Sequence, residues 1–342
     1  MNEQAQRAPA PTPEKVWNTL MGHQKAEALK AGIELDVFTA VGEGADTVER
    51  LAARLGASPR GVRILCDYLT VEGFLAKNDD KYSLPVESQI FLDRRSPACM
   101  CSVVHFLHRP DFAAAFSNLA EVVRRGTTLL PDGAATEAEY PGWELFAESM
   151  VPIVASAVQF IGELAVANGR DPKKVLDIAA GHGMFGIEVA KRARQAEIVA
   201  VDWPKVLEIA RRNAGNAGVE ERYKTMPGDA FEVPFGSGFD LVLLTNLLHH
   251  FDEETCVKLL KKIHRAMEPA GRLITLEFIP NEDRVSPPIA AQFSMMMLGS
   301  TPRGDAYTAK ELSSMAMAAG FGESEFLDVP RSPQRVMVTA RH

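Results

Sequence analysis

The sequence is poor in cysteine, with four residues in 342, at positions 66, 99, 101 and 256, too few for a disulfide framework in a chain this long. It has no excess of basic charge either. Lysine and arginine number 37 against 45 acids, leaving a net charge of -8 and a pI of about 5.6. The basic footprint of a phosphate-neutralising protein is missing, and no nucleic-acid partner is expected. No apolar run nears the roughly 20 residues that cross a bilayer, so no membrane partner is expected. The first thirteen residues carry Pro9, Pro11 and Pro13 among polar neighbours, without the apolar stretch or cleavage site of a signal peptide. They read as a disordered tail over 1–13 of a cytoplasmic protein. What is there is a globular composition, 46% hydrophobic and 24% charged, in a chain long enough for two domains.

Cys99, Cys101, His105 and His108 are the nearest approach to a metal cluster. Their spacing fits no structural zinc pattern, and Val103, Val104, Phe106 and Leu107 beside them read as a buried helix. No metal is expected.

The N-terminal part, 14–100, opens with apolar residues at helical spacing: Val16, Leu20, Ala28 and Leu29, then Leu35, Val37 and Phe38. Asp46 and Thr47 then cap a helix to Leu55, Gly56 stops it, and Ser58 with Pro59 opens another to about Val71. Segments 74–77 and 81–84 flank Asn78-Asp79-Asp80 as a hairpin. Helix, turn, helix and hairpin make a winged-helix shape, which invites a DNA-binding reading. Over 46–84, however, six basic residues (Arg50, Arg54, Arg60, Arg63, Lys77, Lys81) are balanced by six acids (Asp46, Glu49, Asp67, Glu72, Asp79, Asp80). A neutral wing reads a groove poorly, and packing or dimerisation is the expected role.

Residues 97–169 read as more helix around a loop at 126–142, a bridge into a region of different character. There apolar strands at 175–178, 198–201, 223–226, 241–245 and 272–278 alternate with helices at 184–194, 205–214 and 253–267. Two strands follow close together at 325–329 and 335–340. The alternation predicts an α/β fold, a doubly wound parallel sheet with helices on both faces.

Gly181-His182-Gly183-Met184-Phe185-Gly186 follows the first of these strands, opens a helix and fits the G-x-G-x-x-G fingerprint of nucleotide binders. The acids around it select the ligand. Asp177 lies in the strand before the loop, Asp202 ends the next strand, where an acid takes two ribose hydroxyls, and Asp229 closes the third. Three carboxylates around one cleft repel a pyrophosphate, whereas S-adenosylmethionine has no phosphate and carries a sulfonium and an ammonium. The cleft favours that cofactor over a nicotinamide dinucleotide.

The runs 176–183 (LDIAAGHG), 201–204 (VDWP), 228–231 (GDAF) and 248–251 (LHHF), with Glu277, resemble in order the motifs of S-adenosylmethionine-dependent small-molecule O-methyltransferases, the group of the caffeate, hydroxyindole and mitomycin enzymes. The resemblance covers most of the chain. It implies a Rossmann-like, seven-stranded methyltransferase sheet with its last strand antiparallel, over 101–342 with a helical bridge at 101–169. It also implies a mainly helical winged-helix dimerisation domain at 14–100, hence a homodimer. Asp202 would bind the ribose, Gly228, Asp229, Ala230 and Phe231 would flank the adenine, and Gly181 and Gly183 would face the methionine part, with Asp177 behind them and Trp203 covering the adenosine. His249 would be the base and Glu277 would orient its ring. A phenol of pKa about 10 attacks slowly until a histidine of pKa about 6.5 takes its proton. Met150, Met297 and Thr301 would line the pocket of a small, flat acceptor; methionines adapt to such rings. The products would be the methylated acceptor and S-adenosylhomocysteine.

The chain departs from the family pattern at three places. Ala230 replaces the usual methionine, His250 stands where an aspartate is usual, and Ala306 occupies the place of a second helper glutamate. C-methylation, or catalysis by proximity alone, is the alternative within the fold. An NAD-type oxidoreductase and a winged-helix regulator are the alternatives of other classes.

Overall fold

The computed structural model describes residues 11–130, 140 and 142–341. Most of the expected tail over 1–13, and most of the loop expected at 126–142, lie outside the described residues. By its contacts the chain divides into two units, Met1–Val104 and His105–His342.

In the first unit, helices Glu14–Leu20, Gly22–Glu34 and Val37–Gly42 precede the pair Val48–Leu55 and Pro59–Val71. The caps follow the sequence signals. Thr47 accepts from the N–H of Arg50, Gly56 ends the helix in left-handed conformation, and Ser58 accepts from the N–H of Gly61. Strands β1 (Ala76–Asn78) and β2 (Lys81–Ser83) close on the pair Asn78 and Lys81. The turn is therefore Asp79-Asp80 alone, with Asp79 at φ 54°. Phe38, Leu51, Leu69, Leu75 and Tyr82 fill the core. Arg50, Arg54, Arg63, Lys77 and Lys81 all pair with acids of the same unit. The helix Val103–Leu107 buries Val103, Val104 and Phe106 but leaves Leu107 exposed, contrary to expectation. Among the described residues no group of three or more potential ligands surrounds a metal site.

The second unit is built on a sheet of seven strands: β3 (Lys174–Ile178), β4 (Glu197–Asp202), β5 (Tyr223–Pro227), β6 (Phe239–Thr245), β7 (Met267–Glu277), β8 (Phe321–Asp328) and β9 (Arg335–Arg341). Their order is β5-β4-β3-β6-β7-β9-β8; β9 alone runs opposite to the other six. β3 pairs in parallel with both β4 and β6, so the strand order reverses there and the carboxyl ends open a crevice. Both faces are covered, as a parallel sheet requires. Val175, Ile198, Leu241, Leu243 and Ile274 pack into one core, and Leu176, Ile178, Val242 and Leu244 into the other. Each such side chain contributes about 1.5–3 kcal/mol by burial. β7 starts five residues before the expected 272, because Met267 pairs with Phe239 across a register shift.

The expectation of no membrane-length segment needs correction. Residues 151–169 are, by length and a mean hydropathy of 1.5, apolar enough to span a bilayer. Here one face of helix Val151–Val166 packs Val154, Ala157, Val158, Ile161 and Ala165 into the sheet core.

Candidate active site

The glycine loop joins β3 to helix Met184–Arg192. Gly181 has φ 56°, and a Cβ there would touch only Ala179 O, at 3.9 Å. Gly183, at φ 76°, faces away from the cleft: a Cβ there would lie 2.6 Å from Tyr223 Oη and 3.0 Å from Ala210 Cβ. Gly186 lets the helix approach the sheet, since a Cβ would meet Asp177 Oδ2 at 2.7 Å. At Gly183 only a hydrogen fits against Tyr223 and Ala210. Asp177 is fully buried, and its Oδ2 accepts from the N–H of Gly186 at 3.0 Å. Its Oδ1 has no partner, and burial pushes its pKa up to about 7.

Asp202, at the end of β4, ties two elements together. Its Oδ2 accepts from the N–H of Gly181 at 2.8 Å and its Oδ1 from the N–H of Trp203 at 2.7 Å. Burial raises its pKa to about 6 despite both bonds. At the end of β5, Asp229 accepts from the N–H of Phe231 at 2.8 Å, and Lys262 Nζ donates to Ala230 O at 2.9 Å. Gly181, Asp202, Trp203, Gly228, Asp229, Ala230 and Phe231 all line one cleft over the carboxyl ends of the strands.

His249 lies in the short turn Leu248–His250 after β6, and Glu277 ends β7 beside it. Glu277 Oε1 accepts from the N–H groups of Leu247 and Leu248 at 3.1 and 2.9 Å, and Oε2 accepts from His249 Nδ1. With the proton of a neutral ring held at Nδ1, the lone pair is at Nε2. The edge of the ring meets Phe293 at 4.9 Å between centroids, and Phe293 stacks on Phe278 at 4.0 Å. Ala306 is fully buried and supplies no second carboxylate. His249 is 4% exposed, and its neighbours Leu247 and His250 line the cleft.

The expected acceptor-pocket residues fall outside that wall. Thr301 Oγ1 donates to Met297 O at 2.7 Å and accepts from the N–H of Gly304 at 2.8 Å, so it ends helix Pro288–Ser300. Met297 is buried in packing, and half-buried Met150 precedes helix Val151–Val166.

Several wall residues had been assigned no site role. Trp143 and Phe146, from helix Gly142–Ser149, line the cleft, as do Asn246 and His250. Trp143 lies against His250 at 5.2 Å. Burial and the neighbouring His249 hold the His250 ring neutral, its pKa well below the usual value, and its Nδ1 has no partner. His182 is also buried and pushed down to about 4, its Nδ1 accepting from the N–H of Met184. Aromatic spacing within 142–146 was a usable signal for the first two. The others depend on which strand ends meet.

Residues 164–322 match the O-methyltransferase domain model, and 17–94 match the O-methyltransferase dimerisation domain model. The chain is 27% identical over 312 residues to 3-hydroxy-5-methyl-1-naphthoate 3-O-methyltransferase of Streptomyces sahachiroi, covering 88% of this chain and 87% of that one. It is 26% identical to acetylserotonin O-methyltransferase of Mus musculus, with 94% and 86% covered. Among solved structures, a Nostoc punctiforme chain provisionally assigned as an O-methyltransferase is 44% identical, with a TM-score of 0.94 over 97% of this chain and 100% of that one. PigF with S-adenosylhomocysteine bound is 25% identical, with a TM-score of 0.84 over 97% and 100%. With its glycine loop, cleft and His249–Glu277 pair arranged as described, the chain belongs to the S-adenosylmethionine-dependent O-methyltransferases that carry an N-terminal dimerisation domain.

Proposed function

We propose that this methyltransferase methylates a hydroxyl of a small, flat, aromatic acceptor, with His249 as general base. The observation that carries the reading is the buried Glu277–His249 pair, in which both carboxylate oxygens are committed and Nε2 is left as the proton acceptor. Asp202 holds the ribose hydroxyls, Asp229, Ala230 and Phe231 flank the adenine, and Gly181 lies under the methionine part. When bound, the cofactor supplies a methyl group on a sulfonium. The acceptor's O–H proton passes to Nε2, its oxygen bonds the methyl carbon, and the carbon–sulfur bond breaks to leave a neutral thioether. His250 stays neutral beside the arriving cation, and Phe293 and Phe278 offer apolar faces to an aromatic ring. Two relatives, the acetylserotonin and naphthoate enzymes, are named for aromatic hydroxyl acceptors, which favours the same class here.

Domains are drawn at 14–100 for dimerisation and 101–342 for catalysis, in a homodimer acting in the cytoplasm. The ion pairing of five basic residues within the first unit favours dimerisation over a DNA contact. Replacing His249 by alanine is expected to lower kcat by about 10²–10⁴ while leaving S-adenosylhomocysteine affinity within about twofold. Unchanged turnover would remove His249 as the base.

A further inference from the structure

The cofactor has one anionic group, the carboxylate of its amino-acid end, and much of the cleft repels it. Asp202 and Asp229 close β4 and β5, on the far side of the glycine loop from β6. Much of the loop and helix start is also committed. The N–H groups of Gly181, Gly183, Met184 and Gly186 already donate to Asp202, Ala180 O, His182 Nδ1 and Asp177. With adenine at β5 and ribose at β4, an extended cofactor brings its amino-acid end over β3 toward β6. Its carboxylate needs donors there.

Asn246 stands at that place. It follows β6, lines the cleft and has φ 56°, a left-handed conformation that asparagine tolerates better than most residues. Its N–H donates to Leu276 O at 2.9 Å, and its Oδ1 accepts from Gln334 Nε2. With the oxygen end occupied by a donor, the amide NH₂ end is free to donate, and among the described residues it has no hydrogen-bond partner. Gln334 arrives by topology. Because β9 is antiparallel to β7, Arg335 pairs with Glu277, and the turn before β9 reaches the carboxyl edge of the sheet. That turn is tied by Val329 N–H donating to Gln334 O and Gln334 N–H donating to Ser332 Oγ, and Gln334 is buried.

We propose that Asn246 donates its side-chain N–H to the carboxylate of the cofactor, and that Gln334 is a positioning residue that sets the direction of the amide. The inference rests on cofactor binding and not on His249 as the base, so failure of the base assignment leaves it standing.

The test is calorimetry on the full chain with two probes. S-adenosylhomocysteine has the amino-acid end; 5′-methylthioadenosine shares the adenosine and sulfur but lacks it. Asn246→Asp keeps shape and backbone while replacing donor by anion, and should raise the Kd for S-adenosylhomocysteine about tenfold or more. Gln334→Leu should raise it about threefold to tenfold. Both should leave 5′-methylthioadenosine within about twofold. Asn246→Gly suits the left-handed backbone and so keeps the fold, yet should lose S-adenosylhomocysteine affinity as the aspartate does. A glycine variant that binds S-adenosylhomocysteine like the wild type would show a mere turn residue and overturn the proposal. Equal losses for both probes would overturn it too. Failure of the wild type to bind either probe would instead overturn the cofactor assignment.

Discussion

Burial favours the protonated form of a carboxylate, here at Asp202 in the cleft wall and at Asp177 buried under the glycine loop. Burial raises Asp177 to about 7 and Asp202 to about 6. Between the ordinary carboxylate range and those values the folded chain binds more protons than the unfolded one. The contribution of these groups to stability is therefore full at acid pH and lost as pH rises through about 6 to 7. The cationic cofactor selects the ionised form, so its Kd should fall about tenfold between pH 5 and pH 7, followed by calorimetry. A flat profile would mean that Asp202 is already ionised at pH 5. Glu277→Gln is a second test at this scale. Glutamine still offers an oxygen to Leu247 and Leu248, but turns an NH₂ group toward His249 Nδ1 and drives the ring proton to Nε2. The fold should survive, while kcat falls by about 10³ or more from the wrong tautomer. At this scale the positions of Asp202 and Glu277 at strand ends by the crevice were legible from the alternation of strands and helices. The direction in which each loop glycine faces was not, because a fingerprint does not say which glycine faces a cleft and which faces a helix.

The segment from Thr301 to Ala306 packs against the turn that carries His249. A Cβ on Gly304 would lie 2.2 Å from His249 O and 3.1 Å from the His250 carbonyl carbon, both backbone atoms that cannot swing aside. Gly304→Ala should therefore displace the Leu248–His250 turn, lowering kcat by about tenfold or more and stability by about 1–3 kcal/mol in urea unfolding. Cys256 supports the same turn from below, its Sγ donating to Leu248 O at 3.2 Å. Helix and strand elements were largely legible, since caps such as Thr47, Ser58 and Gly56 are local chemistry. Whether Thr301 and Met297 line an acceptor pocket was not legible, because a methionine-rich helix looks the same whether it faces a ligand or a neighbouring helix. Asn246 and Gln334 were invisible for a related reason: 88 residues separate two side chains that meet only through the antiparallel return of β9.

At the scale of the whole molecule, the first unit leaves Val16, Trp17 and Leu20 exposed on one helix, each more than 60% accessible. In the proposed homodimer such a cluster on a dimerisation domain would be a face that a second copy covers. Trp17→Glu with Leu20→Glu should shift the chain from dimer to monomer in sedimentation velocity; a dimer unaffected by both would place the interface elsewhere. The most direct test of the account as a whole is transfer of a labelled methyl group from S-adenosylmethionine to a panel of monohydroxy naphthalenes and indoles, with the product's site of methylation read by NMR. The account predicts label on oxygen, with turnover at least about 10² lower in His249→Ala. Label on carbon or nitrogen, or equal turnover in the two proteins, would contradict it.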